Sequence, residues 1–272
     1  MQITEAHLDE AIRMAHAGGG MGHKYNQRSW CGTSCCVLGF ARLVAGLPER
    51  NQGPQPGEIV DTPKGRLIEA LMRSHDSAVL ELMEHIQSDG TLDRPVHIDG
   101  NLYLGGCTKL TTLPDNLTVG ASLDLEGCTA LTHLPDGITV GGYLELEGCT
   151  SLTHLPDGLT VGGNLYLGGC TSLTHLPAGL TVGGYLELGG CTKLTTLPDN
   201  LTVGGDIGLR GCTSLTHLPA GLTVGGYLEL GGCTSLTHLP AGLTVGGRLY
   251  LSGCTALPDE KIPEHLRSKV VR

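Results

Sequence analysis

The segment Gly141-Gly142-Tyr143-Leu144-Glu145-Leu146-Glu147-Gly148-Cys149-Thr150-Ser151-Leu152-Thr153-His154-Leu155-Pro156-Asp157-Gly158-Leu159-Thr160-Val161 is one copy of a unit that recurs with a constant period. Cysteine marks the register, at Cys107, Cys128, Cys149, Cys170, Cys191, Cys212, Cys233 and Cys254, each twenty-one positions after the last. A fixed period of about 20–50 residues identifies a stacked repeat architecture. One such unit cannot stand alone. Six or so buried apolar side chains contribute roughly 1.5–3 kcal/mol each, against about 1–2 kcal/mol of backbone entropy for every ordered residue. Stacking makes the sum favourable, because each unit then buries both faces.

Within the unit, x-Leu-x-Leu-x is expected to be a short strand with Leu inward and the x positions outward. Cys sits where the chain leaves the strand, in a place suited to a small buried side chain. Leu-Thr-x-Leu-Pro-x-x-Leu returns along the other side. Its Pro and Gly content predicts turns, 3₁₀ or extended chain there, and so a thin, non-helical convex side. Val-Gly-Gly re-enters the next strand, its glycines permitting positive φ. Val96–Leu102 already matches this re-entry, with Ile98 out of pattern. A longer period, four times the short one, lies beneath it: Lys109–Asn116 recurs at Lys193–Asn200.

Composition divides the chain near residue 95. The single Trp (Trp30) and single Phe (Phe40) precede it. Four helices are expected there. The first covers 5–17 behind an N-cap at Thr4. The second runs over about 34–45 and stops at Gly46 and Pro48. The third opens at Pro63 and the fourth at Asp76. The expected organisation is a helical domain over 1–95, about eight repeats over 96–257 and a C-terminal cap over 258–272.

The fold class is thus α+β, a repeat solenoid with one parallel sheet and a small all-helical domain. A net charge of −10 argues against a binder of nucleic-acid backbone. No apolar run reaches the roughly 18 residues that a membrane span needs. Met1–His7 has no basic segment followed by an apolar one, so a cytoplasmic location is expected. Export into a host cell without a signal would leave the same trace. Eleven Cys, eight at one repeat position, read as a repeat signature in a reducing compartment and not as a disulfide framework.

The outward strand positions form three rows. The first is Asn101, Ser122, Tyr143, Asn164, Tyr185, Asp206, Tyr227 and Arg248. The second is Tyr103, Asp124, Glu145, Tyr166, Glu187, Gly208, Glu229 and Tyr250. The third is Gly105, Glu126, Glu147, Gly168, Gly189, Arg210, Gly231 and Ser252. Six of the seven Tyr fall in these rows. At a strand spacing of about 4.8 Å the rows make a strip roughly 35 Å long. Tyr gives large contact area at low entropy cost, and carboxylates favour a basic partner. The candidate partner-binding residues are Tyr103, Asp124, Glu126, Tyr143, Glu145, Glu147, Tyr166, Tyr185, Glu187, Tyr227, Glu229 and Tyr250. The bland alternative is that Tyr suits exposed strands and Glu keeps the face soluble.

A second column holds His133, His154, His175, His217 and His238. The run His133, His154, His175 is the candidate metal set, though a ladder presents parallel side chains where a metal needs convergent ones. Thr columns beside Cys and Val fit turn chemistry better than an ice-binding plane. The catalytic candidates are Cys31, Cys35 and His23. A helix beginning near Ser34 could lower a thiol pKa there, and the same residues could hold zinc. Adjacent Cys35 and Cys36 point apart on a helix, and the spacing fits no strong zinc pattern. No cofactor is therefore expected.

The Leu-x-Leu strand followed by Cys and Leu resembles the leucine-rich repeat family, over residues 96–257. The Leu-Pro-x-x-Leu-x-Val return is similar to the short bacterial subtype found in secreted effectors that bind host proteins. The resemblance implies a parallel sheet on a concave face and a binding role. The ubiquitin-ligase domain of some such effectors has no counterpart in the short tail after Cys254. Trp30–Ala41 resembles a Cys-Gly-Thr-x-x-Cys-x-x-Gly-x-Ala pattern in small bacterial and phage proteins of unassigned function. The expected function is non-catalytic binding of a protein through the Tyr/Glu strip, as a bacterial effector or phage-encoded inhibitor. The alternative is an enzyme or small-ligand binder whose chemistry lies in the N-terminal Cys/His region, with the repeats selecting the target.

Overall fold

A computed structural model describes residues 95–272 other than Asn116, together with Thr4, Ala6, His7, Asp9 and Glu10. The last four of these are helical. The His7 N–H donates to Thr4 Oγ1 at 3.4 Å and the Thr4 N–H to His7 Nδ1 at 3.1 Å, the reciprocal pattern of a capped helix start. Cys31, Cys35, His23 and the later helices expected before residue 95 lie outside the described residues.

The repeats form a parallel β-solenoid. Coil 1 comprises 101–121, coil 2 122–142, coil 3 143–163, coil 4 164–184, coil 5 185–205, coil 6 206–226 and coil 7 227–247, and coil 8 begins at 248. The Leu-x strands stack into a nine-stranded sheet in coil order, from Leu102–Tyr103 to Leu249–Tyr250 and then Val270–Val271. Each pairs in parallel with its counterpart one period away, so every row named above is a straight column. The core is one continuous cluster of Leu, Val, Ile and Cys, and most of its side chains have no exposure at all. Among the described residues no helix is long and apolar enough to cross a membrane.

The return side is extended chain and turns, and it does more than connect strands. Its Thr-Val segments pair into a second parallel sheet, six-stranded from Val96–Ile98 to Thr202–Val203, with Thr223–Val224 and Thr244–Val245 continuing as a separate pair. Ile98 is in pattern after all: it pairs with Val119 and is buried, so it fills the Val slot of a coil that begins before residue 101.

The glycines also differ from expectation. The left-handed residues are the glycine before each Cys, such as Gly148 (φ 69°) and Gly169 (φ 72°), where the chain turns off the Leu strand, and Gly137, Gly158 and Gly179 on the return side. At the Gly-Gly corner the requirement is space. A Cβ on Gly141, Gly162 or Gly183 would collide with the carbonyl oxygen of the corresponding glycine one coil earlier.

The tail meets the last coil on both sheets. Val270–Val271 adds a strand to Leu249–Tyr250, and the Leu251 N–H donates to Val271 O at 2.9 Å. On the Thr-Val side no strand follows among the described residues. There His265 Nε2 meets Leu243 O at 2.9 Å and Lys269 Nζ donates to Val245 O. Two side chains thus satisfy carbonyls that a further strand would have paired. Ile262 and Leu266 close the core beneath them.

The two glycine roles should separate on mutation. Gly158→Ala forces a left-handed Ala (φ 69°) into open space, a cost of about 1–2 kcal/mol. Gly183→Ala drives a methyl into backbone that cannot move without unstacking two coils, and about 3 kcal/mol is expected. Denaturant unfolding checks this; equal losses would refute the corner argument.

Candidate interaction surface

The outward face of the Leu-x sheet carries the candidate binding residues, and registration puts the second row in strict succession: Tyr103, Asp124, Glu145, Tyr166, Glu187, Gly208, Glu229, Tyr250 and then Val271. Tyr103, Tyr143 and Tyr227 are each close to half exposed. Tyr166, Tyr185 and Tyr250 are more covered. The Tyr166 and Tyr185 rings meet edge-on at 6.1 Å, as do Tyr227 and Tyr250.

The short polar residues of the first row have a structural task that reading the row as a surface missed. Asn101 Oδ1 accepts the Ser122 N–H (2.9 Å), Ser122 Oγ the Tyr143 N–H (3.0 Å), Asn164 Oδ1 the Tyr185 N–H (2.8 Å) and Asp206 Oδ1 the Tyr227 N–H (2.6 Å). Each thereby fixes the residue one coil later, which for three of them is a Tyr. The signal was available, since Ser, Asn or Asp precedes each of these Tyr by one period. Asn101 and Asn164 also donate to the hydroxyls of Tyr103 (2.8 Å) and Tyr166 (2.7 Å).

The carboxylates gather in coils 2 and 3. Burial raises the pKa of Glu145 first, and Asp124, Glu126 and Glu147 raise it further. Glu147 is raised by burial, then by Glu126 and Glu187. The ion pairs seen among the described residues, His97–Asp99 and Arg272–Asp259, are elsewhere. Among the described residues the four acids therefore crowd one another without a cation. Glu187 is different: it accepts the Gly189 N–H at 2.9 Å and the Tyr185 hydroxyl. Burial, and then that bond, raises the Tyr185 pKa. Arg210 and Arg248, absent from the candidate set, are the exposed cations of the face, both in its C-terminal half.

The His column is regular, but its members do not converge. Each imidazole Nδ1 meets the hydroxyl of the Thr before it, at 2.9 Å for His133, His154 and His175. The His133 and His154 rings stack 5.7 Å apart and within 3° of parallel. No group of three or more His, Cys, Asp or Glu able to hold a metal occurs among the described residues.

The repeat cysteines are buried, and from Cys128 to Cys254 they are free thiols. From Cys128 onward each Sγ–H donates to the carbonyl of the second strand Leu of the preceding coil, as Cys170 does to Leu146 at 3.1 Å. That carbonyl also accepts the N–H of the Cys in its own coil. The thiols are therefore hydrogen-bonded stitches between coils as well as filling. Burial pushes the pKa of Cys128, Cys170, Cys191, Cys212 and Cys233 up to about 12 and that of Cys149 to about 11.

No protein-family model matches the chain, and no curated protein matches it significantly.

Two pH effects of opposite location should follow. An unfolded thiol ionises near 9 and these folded ones near 12, so above pH 9 the unfolded state binds fewer protons. Stability is then lost as pH rises, by about 1.4 kcal/mol per pH unit for each thiol involved. The melting temperature should hold below pH 9 and drop steeply above it, and Cys170→Ala with Cys191→Ala should show a shallower drop. A parallel drop in that variant would refute the assignment. Glu145 and Glu147 also have raised folded pKa values, so their contribution is favourable in acid and is lost as pH rises through the carboxylate range. Glu145→Gln with Glu147→Gln should raise the melting temperature at pH 7, the gap closing below about pH 4. A lower melting temperature at pH 7 would mean that the carboxylates are structural.

Proposed function

We propose that the protein is a non-catalytic recognition protein of leucine-rich repeat type. Its Tyr and carboxylate strip binds a basic protein partner, in the manner of a bacterial effector or phage-encoded inhibitor. One observation carries the reading. Asp124, Glu126, Glu145 and Glu147 lie together on the sheet with no cation among them in the described residues, and the pKa values of the two glutamates are raised by burial first and then by the neighbouring carboxylates. A fold could relieve such repulsion by one substitution to Gln. A cationic partner relieves it on binding, and complementary charge speeds its approach.

Tyr103 and Tyr143 flank the acids and supply apolar contact area with polar ends. The stacked coils below hold all these side chains on a backbone that need not reorganise, so little ordering cost is left for the encounter. The repeats serve as the scaffold and the variable outward positions as the reader.

The test is capture from extract of the source cells by the full chain, against a Glu126→Lys, Glu145→Lys, Glu147→Lys variant. Wild type should retain a partner that is lost in the variant and released by moderate salt, with the variant's melting temperature no lower. Capture unchanged by charge reversal and insensitive to salt would overturn the reading.

A further inference from the structure

Coils 5 and 7 contain the same seven residues, Tyr-Leu-Glu-Leu-Gly-Gly-Cys, at 185–191 and 227–233. Their glutamates are nevertheless placed differently. In coil 5, Glu187 folds back onto its own backbone, where Oε1 accepts the Gly189 N–H at 2.9 Å and Oε2 the Tyr185 hydroxyl. In coil 7, Glu229 is exposed, and its carboxylate makes no hydrogen bond or ion pair among the described residues.

The cause lies one coil further on. The strand partner of Glu187 is Gly208, whose missing side chain leaves the room that the carboxylate and the Tyr185 hydroxyl occupy. The strand partner of Glu229 is Tyr250. Its ring takes that room and packs edge-on against Tyr227.

The Gly231 N–H therefore has no carboxylate above it and, like the equivalent N–H groups of Glu147, Gly168 and Arg210, no acceptor among the described residues. In a regular ladder the Gly231 N–H would seek Leu209 O, but that carbonyl already accepts the Cys212 N–H and the Cys233 thiol, each at 3.1 Å. The same donor is satisfied by a carboxylate in coil 5 and again in coil 2, where Asp124 Oδ1 accepts the Glu126 N–H at 2.9 Å and overlies Gly105. Tyr250 fills only the room over the strand partner; the space over Gly231, whose counterpart over Gly189 holds Glu187 Oε1, is an open notch of about 500 Å³ bounded by Arg210, Glu229, Tyr250 and Ser252. Arg210 passes close by: its Cγ lies 3.9 Å from where a Cβ on Gly231 would be. It has no ion pair among the described residues.

We propose that this notch binds a carboxylate from outside the chain, carried on an acidic peptide side chain. Gly231 N–H, the Arg210 guanidinium and the Ser252 hydroxyl donate to it, and the Tyr250 ring packs against the adjoining peptide. The occupant's chemistry is read from coils 2 and 5, where the chain's own carboxylates satisfy the equivalent donor. A peptide source fits because the notch lies on the Tyr-bearing face, beside the edge-on pair Tyr227 and Tyr250. The site is separate from the acidic half of the strip and does not depend on it.

The experiment follows the Gly231 amide of the ¹⁵N-labelled full chain by NMR at constant ionic strength. The probes are the blocked peptide Ac-Gly-Glu-Gly-NH₂, its Gln counterpart and sodium acetate. A saturable shift with the Glu peptide is expected, with the Gln peptide silent and acetate at least about fivefold weaker. Arg210→Gln should weaken binding about tenfold, the worth of one charge-assisted bond. Tyr250→Gly should abolish it, because Glu229 can then fold back as Glu187 does. Glu229→Gln, which removes a like charge from the rim of the notch, should tighten it. A Gly231 amide unmoved by the Glu peptide, or moved equally by the Gln peptide, overturns the proposal, as does an undiminished response in either Arg210→Gln or Tyr250→Gly. Acetate binding as tightly as the peptide overturns the peptide source. Glu126→Lys, Glu145→Lys, Glu147→Lys should leave the titration unchanged, so failure of the basic-partner reading and failure of this one are told apart.

Discussion

Each coil lies directly on the one before it only because the backbone is bare where the two corners meet. At Gly141, Gly162 and Gly183 the preceding coil's carbonyl oxygen stands where a Cβ would have to be. This contact sets the spacing of the whole solenoid. It brings the Leu-x and the Thr-Val segments into hydrogen-bond reach of their neighbours at once, so two sheets form from strands only two or three residues long. Strands of that length have no stability of their own; the neighbours supply it. The same closeness places each thiol against the carbonyl of the coil before it and rewards Cys over a larger side chain.

The period, the inward Leu positions, the buried Cys and the outward rows were legible in the sequence, because each depends on repetition alone. The second sheet was not. Leu-Thr-Val alternates correctly for a strand, but so short a segment between a Pro turn and a Gly-Gly corner carries too little local preference to predict one, and only stacking creates the strand. The role of the corner glycines was misassigned for a similar reason. A positive φ and a close approach both select Gly, and the residue type alone does not distinguish them. Ile98 looked misplaced because the first coil lacks the Leu-Thr-Val-Gly-Gly spelling, although its register with Val119 is regular.

The surface was legible as a set of positions and not as a set of conformations. Glu187 and Glu229 share their whole local sequence and differ in whether the carboxylate is bonded, and the deciding residues, Gly208 and Tyr250, lie one period downstream of each. In the same way Asn164 and Asp206 belong with Tyr185 and Tyr227. In a stacked repeat the environment of an outward side chain is two-dimensional: along the strand it is set by the next outward positions, and across the sheet by residues one period away. A reading that follows the chain sees the first direction only.

This arrangement also explains how four carboxylates can be crowded together without endangering the fold. Stability in a solenoid is close to a sum of terms from each coil and each coil–coil interface. The core beneath coils 2 and 3 is unbroken, with Leu123, Leu125, Leu144, Leu146, Cys128 and Cys149 all fully buried. Repulsion among Asp124, Glu126, Glu145 and Glu147 acts on the exposed side of that core, where solvent and salt reduce it. Inward positions are constrained by stacking and repeat almost unchanged. Outward positions are constrained only by their cross-sheet neighbours, so one half of the face can be acidic while the other carries Arg210, Arg248 and an open notch. Variation there is compatible with a fixed scaffold, and any selectivity the repeats possess must be written in those columns.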